Sequence, residues 1–241
     1  MTLPDNTIWH LGHSSVAIKI SGRLLIFDYA RPVTDNQKGD GFHNGRIIPE
    51  KIKGESVIVF ASHGHEDHFN PDIFKWRQTI PNITYIISYD IKESPDEAIQ
   101  IKPNRHLDLD GLTVGTYPST DDGVAFSIFL NRRHIYFSGD NAFWNWDGDL
   151  DDDIYIRLAL SAIDTSMPME IAFQVCDPRL EQMGAGGIYI FARVFKPELL
   201  VPIHSFGEYA FNKRADQKLR EQGFEKKFWC VGGVGETFRL K

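Results

Sequence analysis

The sequence predicts a layered α/β fold, and three observations carry that expectation. Short continuous apolar runs, such as Ser56 to Ala61 and Leu199 to Ile203, have the composition of strands buried on both faces. Segments with helical features alternate with several of these runs, the pattern of sheets covered by helices. The 241 residues, 42% hydrophobic and 24% charged, suffice for one globular domain over 1–241, or two similar halves sharing a core. A chain of this size buries enough apolar surface without disulfides, so a metal would serve chemistry rather than folding.

The elements follow in order. Thr7 to Leu11, Val16 to Ile20 and Leu24 to Phe27 read as a β-meander punctuated by Gly12 and Ser21-Gly22. Residues 31 to 50, rich in Pro, Asn, Gly and Asp, read as a long loop and a candidate lid. After strand Ser56 to Ala61 comes a His-rich turn. Asn70 is then placed as an N-cap and Pro71 as the first residue of a helix reaching Gln78. Strands are expected at Ile83 to Ser88, Leu112 to Tyr117, Gly123 to Leu130, Ile135 to Ser138, Glu170 to Val175 and Leu199 to Ile203. Helices are expected at Ile154 to Ile163, Gly187 to Phe195 and Phe211 to Gln222, before a closing strand pair. No sequence repeat or low-complexity tract interrupts this order.

Charge and cysteine content narrow the function classes. The formal net charge is −7 and the basic residues are scattered, which argues against a nucleic-acid partner. The two cysteines, Cys176 and Cys230, lack metal-binding spacing and read as small buried hydrophobes of a reducing compartment. No apolar run approaches the roughly 18 residues that span a bilayer, and no signal peptide is visible, so the expectation is a cytoplasmic protein without a membrane partner.

Chemistry concentrates in His63-Gly64-His65-Glu66-Asp67-His68, on the strand-to-helix loop after a buried strand. Imidazole and carboxylate are good ligands for zinc, iron and manganese. Alternate residues of an extended loop point to one side, so His63 and His65 can converge on one ion, with Asp67 and His68 reaching a second. The acidic run 147–153 invites a calcium reading but fails the EF-hand pattern: Asp152 stands where Gly is needed and Leu158 where Glu is needed. It reads as a solvated loop.

His-x-His-x-Asp-His after a buried strand resembles the metallo-β-lactamase superfamily. The resemblance implies a four-layer αββα sandwich with the metal site between its sheets. It also implies a bridging Asp and a final His at later strand ends, met by Asp140 after Ile135 to Gly139 and by His204 after Leu199 to Ile203. Gly12-His13-Ser14-Ser15, followed by strands ending in Asp28, is similar to the branch that includes L-ascorbate-6-phosphate lactonase. The implied ligands are His63, His65, Asp67, His68, Asp140 and His204, holding one or two divalent ions, zinc first, with manganese and iron compatible.

One family element is missing. A third His is expected about twenty residues before the bridging Asp, where this chain has Thr120-Asp121. Three readings stand: Asp121 replaces the imidazole, another residue such as His13 fills the gap, or a single ion is held by Asp67, His68, Asp140 and His204.

The resemblance implies a hydrolase whose metal-activated water, steered by Asp67, attacks a small ester, lactone or phosphorylated metabolite. The alternatives are a phosphodiesterase of the same fold and a non-catalytic metal sensor with an incomplete site. Oxygen reduction is not expected, because the di-iron flavoproteins of the superfamily have Glu at the position of His65 and carry a flavin domain that this chain lacks. His13 reads as a supporting or substrate group, or as a brace for the first hairpin. Asp28 reads as an orienter of a ligand imidazole or as a turn residue. Phe143, Trp144 and Trp146 read as a substrate wall or as a core seal, and Arg179 as a substrate-anion partner or a surface charge.

Overall fold

The computed structural model describes residues 3–30, 41–145, 151–180 and 185–241, with the backbone alone at 152 and 153. Its strands are β1 (Thr7–Gly12), β2 (Ser15–Ile20), β3 (Arg23–Phe27), β4 (Ser56–Ala61), β5 (Ile83–Ser88), β6 (Ile99–Ile101) and β7 (His106–Leu109). They continue as β8 (Leu112–Pro118), β9 (Val124–Leu130), β10 (Arg133–Phe137), β11 (Ile171–Val175), β12 (Leu199–Ile203), β13 (Lys227–Phe228) and β14 (Thr237–Arg239). The α-helices are α1 (Pro49–Ile52), α2 (Asp152–Tyr155), α3 (Gly186–Phe195) and α4 (Ala210–Glu221).

The chain divides into two compact units, Met1–Ile101 with Gly233–Lys241, and Lys102–Gly232. The first is built on a seven-stranded sheet of order β14-β1-β2-β3-β4-β5-β6. Its pairings from β14 to β3 are antiparallel, and those from β3 to β6 are parallel. Every residue of β1 and β2 is buried, which is why the opening runs carry apolar side chains on both faces. One face packs Trp9, Leu11, Ile26, Val59 and Tyr85 with Trp76 and Ile73 from the segment after the His-rich turn.

That segment, Pro71–Gln78, is a 3₁₀ helix rather than the α-helix expected. Its start is as predicted: the Asn70 side chain accepts from Asp72 N at 2.9 Å, and Pro71 follows. The described part of the long loop contains a 3₁₀ turn, Phe42–Asn44, and α1. It is seated on β1, with the Phe42 ring tilted against Trp9 at 4.9 Å. Gly45, at φ +67°, lies so close to β1 that a Cβ would come within 2.1 Å of the Leu11 carbonyl oxygen. Residues 31–40 of the lid candidate lie outside the described residues, as do Trp146 and most of the acidic run.

The second unit repeats the strand arrangement in a seven-stranded sheet of order β13-β12-β11-β10-β9-β8-β7. Pairings from β7 to β10 are antiparallel, and those from β10 to β13 are parallel. Three antiparallel steps followed by three parallel ones occur in both sheets, a likeness of topology with no repeat in sequence behind it. The closing strands therefore do not pair with each other: β13 extends the second sheet and β14 the first. Short strands take their partners from tertiary context, so a local reading missed this. The helix expected at Ile154 to Ile163 is α2 followed by a π-helical turn, Ile156–Leu160. Against one face of this sheet, Tyr136, Phe143, Tyr155, Ile188, Phe191 and Leu219 form the core. Gly187 lets α3 approach, since a Cβ there would stand 3.0 Å from Phe143. Burial pushes the Cys176 thiol up, as suits a buried hydrophobe.

Candidate metal centre

Asp28, the His-rich turn, Asp140 and His204 follow the carboxyl ends of strands with parallel neighbours, where open α/β sheets collect their ligands, whereas His13 lies in the antiparallel β1–β2 turn. Three of these residues break the usual backbone rule. His13, Asp28 and His204 are non-glycine residues at φ +50°, +45° and +68°. Such conformations cost about 1–3 kcal/mol each and persist where surrounding structure imposes them.

In the first unit, Asp28 follows β3 and the His-rich turn follows β4, its parallel neighbour. Asp28 N donates to the Phe60 carbonyl at 2.9 Å, and Ser15 Oγ donates to the Asp28 carbonyl at 2.5 Å, so the backbone at Asp28 is pinned from two strands. Its carboxylate is fully buried and accepts from three donors: Ser62 N (2.7 Å), Ser62 Oγ (2.6 Å) and His68 Nδ1 (2.7 Å). Asp28 therefore fixes the orientation of the His68 imidazole. The turn itself is held by Asp90, whose Oδ2 accepts from Gly64 N at 2.7 Å. His63 and His68 are buried with ring centroids 4.1 Å apart, and His65, more exposed, meets His63 edge-on at 4.6 Å. Donor atoms of Asp28, His63 and His68 all lie within 4.8 Å of one another.

Asp67 is more open, its side chain 39% exposed. His13 projects from the β1–β2 turn, and its Nε2 donates to Asp67 Oδ2 at 3.2 Å. That bond, opposed by burial and assisted by the charges of His68 and His13, holds the Asp67 carboxyl well below the usual carboxylate range.

The second unit brings together the other two predicted ligands. Asp140 follows β10 and His204 follows β12, and His204 Nε2 lies 3.4 Å from Asp140 Oδ1. His204 Nδ1 donates to Asp177 Oδ2 at 3.0 Å. Asp177, at the end of β11, is fully buried and is gripped by Arg179, whose Nε and Nη2 both reach its carboxylate. Burial works against ionisation of Asp177, but the His204 and Arg179 donors outweigh it and hold the carboxyl below its ordinary range. Arg179 is thus committed to Asp177 and stacked 4.1 Å over the Phe206 ring.

Trp144 donates from its indole nitrogen to the Asp140 carbonyl at 3.1 Å and meets His204 edge-on at 5.8 Å; Phe206 meets the same imidazole at 5.0 Å. The aromatic loop therefore divides: Phe143 seals the core, and Trp144 stands at His204. At the missing-histidine position, Thr120 Oγ1 accepts from Ala142 N at 2.8 Å and donates to the Ala142 carbonyl at 2.6 Å. Thr120 is a brace for the turn that carries Asp140. The neighbouring Asp121 is exposed and joins no group of three or more metal-capable donors among the described residues. Sequence reasoning missed Ser62, Asp177 and Phe206. The one available signal was Asp177 itself, a carboxylate closing a buried strand.

These residues fit a divalent cation. Two imidazoles, His68 and His204, donate Nδ1–H to buried carboxylates, the arrangement that fixes a metal-ligating tautomer with its lone pair on Nε2. In a neutral His204 that lone pair faces an Asp140 oxygen across 3.4 Å, a repulsion that a bound cation removes.

Two large mixed sheets, few helices and this placement of the His-rich turn, Asp140 and His204 define a fold of the metallo-β-lactamase type. No family model matches the chain. Among known proteins it is similar to the UPF0173 metal-dependent hydrolase of Thermoplasma acidophilum, 24% identical over 209 residues, which cover 82% of this chain and 81% of that protein. Among solved structures it resembles the metallo-β-lactamase fold protein YhfI from Bacillus subtilis, with TM-score 0.60, 15% identity and 97% and 98% of the two chains covered. CmlA, a diiron β-hydroxylase from Streptomyces venezuelae, shares the fold at TM-score 0.63 and 11% identity; the match covers 100% of this chain and 55% of CmlA.

Proposed function

We infer that the chain is a metal-dependent hydrolase whose ligands are His63, His65, Asp67, His68, Asp140 and His204. The observation that carries this reading is the paired arrangement of buried imidazole and buried carboxylate at His68–Asp28 and His204–Asp177, a tautomer lock that a merely structural histidine does not need. Resemblance to a protein named a metal-dependent hydrolase supports the same class.

A bound divalent ion would supply a water acidified towards neutral pH and an electrophile for a carbonyl or phosphoryl oxygen. The chain's own residues supply the rest. Asp67, kept ionised by His13, is suited to accept a hydrogen bond from that water and to hold it in line. Trp144 and Phe206 flank His204 and offer an apolar wall to a substrate. The lactonase-like opening motif favours a small ester, lactone or phosphorylated metabolite. Zinc suits the donor set best, with manganese and iron next.

Elemental analysis of protein purified without chelator, joined to a panel of esters, lactones, thioesters and phosphodiesters, tests the reading. Bound metal and turnover that His68→Ala and Asp140→Ala both abolish are the expected results. Metal-replete protein inactive across the panel would overturn the hydrolase. A second reading, a non-catalytic metal sensor, is favoured by one observation: Thr120-Asp121 stands where the third histidine is expected, and Thr120 is engaged with Ala142. Metal binding without turnover would support it.

A further inference from the structure

Ser62 lies between the buried strand β4 and the first histidine of the motif. It is fully buried, and its hydroxyl has two neighbours: Asp28 Oδ2 at 2.6 Å and His63 Nδ1 at 2.9 Å. A serine hydroxyl carries one proton and can accept at its oxygen. Asp28 faces three donor groups and accepts on both oxygens, so the Ser62 proton points to Asp28. The Ser62 oxygen must then accept from His63, which places the His63 proton on Nδ1 and its lone pair on Nε2.

We propose that Ser62 is a positioning residue that passes the orienting effect of Asp28 to His63, so that one buried carboxylate sets the tautomer of two imidazoles, His68 directly and His63 through a hydroxyl. The proposal deepens the metal-site reading and rests on it for its purpose, but not for its geometry. The Ser62 backbone N–H also binds Asp28 Oδ1, so replacing the hydroxyl leaves the carboxylate tethered and His68 in place. His68 is thus an internal control. Thr keeps the hydroxyl and Ala removes it, which separates the relay from simple packing.

The test has two readouts. Long-range ¹H–¹⁵N correlation spectra of metal-free protein at pH 8, with His63 assigned by its loss in His63→Gln, report which ring nitrogen carries the proton. The wild type is expected to show Nδ1–H at both His63 and His68. Ser62→Ala should move His63 towards Nε2–H while His68 is unchanged, and Ser62→Thr should match the wild type. Zn²⁺ affinity measured by chelator competition should fall about 10–100-fold in Ser62→Ala and recover in Ser62→Thr. Nε2–H at His63 in the wild type, or a folded Ser62→Ala with wild-type tautomer and affinity, would overturn the relay. If Ser62→Ala does not fold, the wild-type tautomer alone decides. Failure of the wild type to bind Zn²⁺ would defeat the metal reading, and the metal-free spectra would still decide the relay.

Discussion

Replacing Asp177 with Asn separates stability from metal binding in a way the geometry makes explicit. The carboxylate accepts from His204 Nδ1 at 3.0 Å on Oδ2 and from Arg179 N at 2.8 Å on Oδ1. Asn keeps one oxygen, held at the Oδ1 position by Arg179 N, and turns an NH₂ towards His204 and the Arg179 guanidinium, which donates to Oδ2 through Nε and Nη2. Two N–H groups cannot face each other, so His204 moves its proton to Nε2, where Asp140 Oδ1 waits 3.4 Å away. The loss of a charge-assisted bond, about 1.5–3 kcal/mol, is then partly offset by a new bond of about 1–2 kcal/mol to Asp140. Arg179, with its side chain 47% exposed, is rehydrated at little further cost. The metal-free variant should therefore lose only about 1–2 kcal/mol in urea unfolding, seen as a lower midpoint with an unchanged slope. Metal binding must reverse the tautomer against an amide NH₂, so Zn²⁺ affinity should drop by about 10–100-fold, or roughly 1.4–2.8 kcal/mol. Unchanged affinity in a folded variant would refute the tautomer argument. A stability loss above about 4 kcal/mol would show that Asp177 is a structural ion-pair partner instead.

Three further outcomes follow from residues away from the ligands or behind them. His134 is fully buried between Ser127 Oγ (2.9 Å) and the Met167 carbonyl (3.1 Å), and burial lowers its pKa. The unfolded chain thus binds its proton more readily, so stability should fall as pH drops below about 6.5, and His134→Gln should flatten that slope in urea titrations. Gly45→Ala should destabilise by about 3 kcal/mol or more in the same assay, because φ +67° and the Leu11 carbonyl 2.1 Å from the new Cβ cannot both be accommodated. Thr120→Val removes both hydroxyl bonds to Ala142; it should cost about 1 kcal/mol of stability and weaken metal retention in chelator competition, because the Asp140 turn loosens.

The parts of the molecule legible in the sequence were those whose cause is local. Ser56 to Ala61 and Leu199 to Ile203 are continuous apolar runs because both faces of their strands are buried, and their bounds match β4 and β12. Asn70-Pro71 fixed a helix start because a cap and a preset φ act within three residues. What escaped depends on distant partners. β6 and β7 are short, and β7, His-Leu-Asp-Leu, is partly exposed and polar, so it lacks any apolar run. Asp177 acts on a histidine 27 residues away and Ser62 on a carboxylate 34 away, distances at which pattern reasoning has no periodicity to use. The left-handed backbone at His13, Asp28 and His204 was equally hidden, because glycine is the residue that announces such a conformation.

The pairing of β14 with β1 ties the order of synthesis to the order of folding. Thr237–Arg239 form the outer neighbour of the opening strand, with Gly235 N donating to the His10 carbonyl and His10 N to the Glu236 carbonyl. A nascent chain emerging from the ribosome can assemble β1 to β6 early but must leave the outer edge of β1 bare until residues beyond 234 have been made. Throughout that interval an apolar strand has an open ladder available to other chains. Emergence of Thr237–Arg239 is therefore the moment at which the first half of the protein ceases to be sticky.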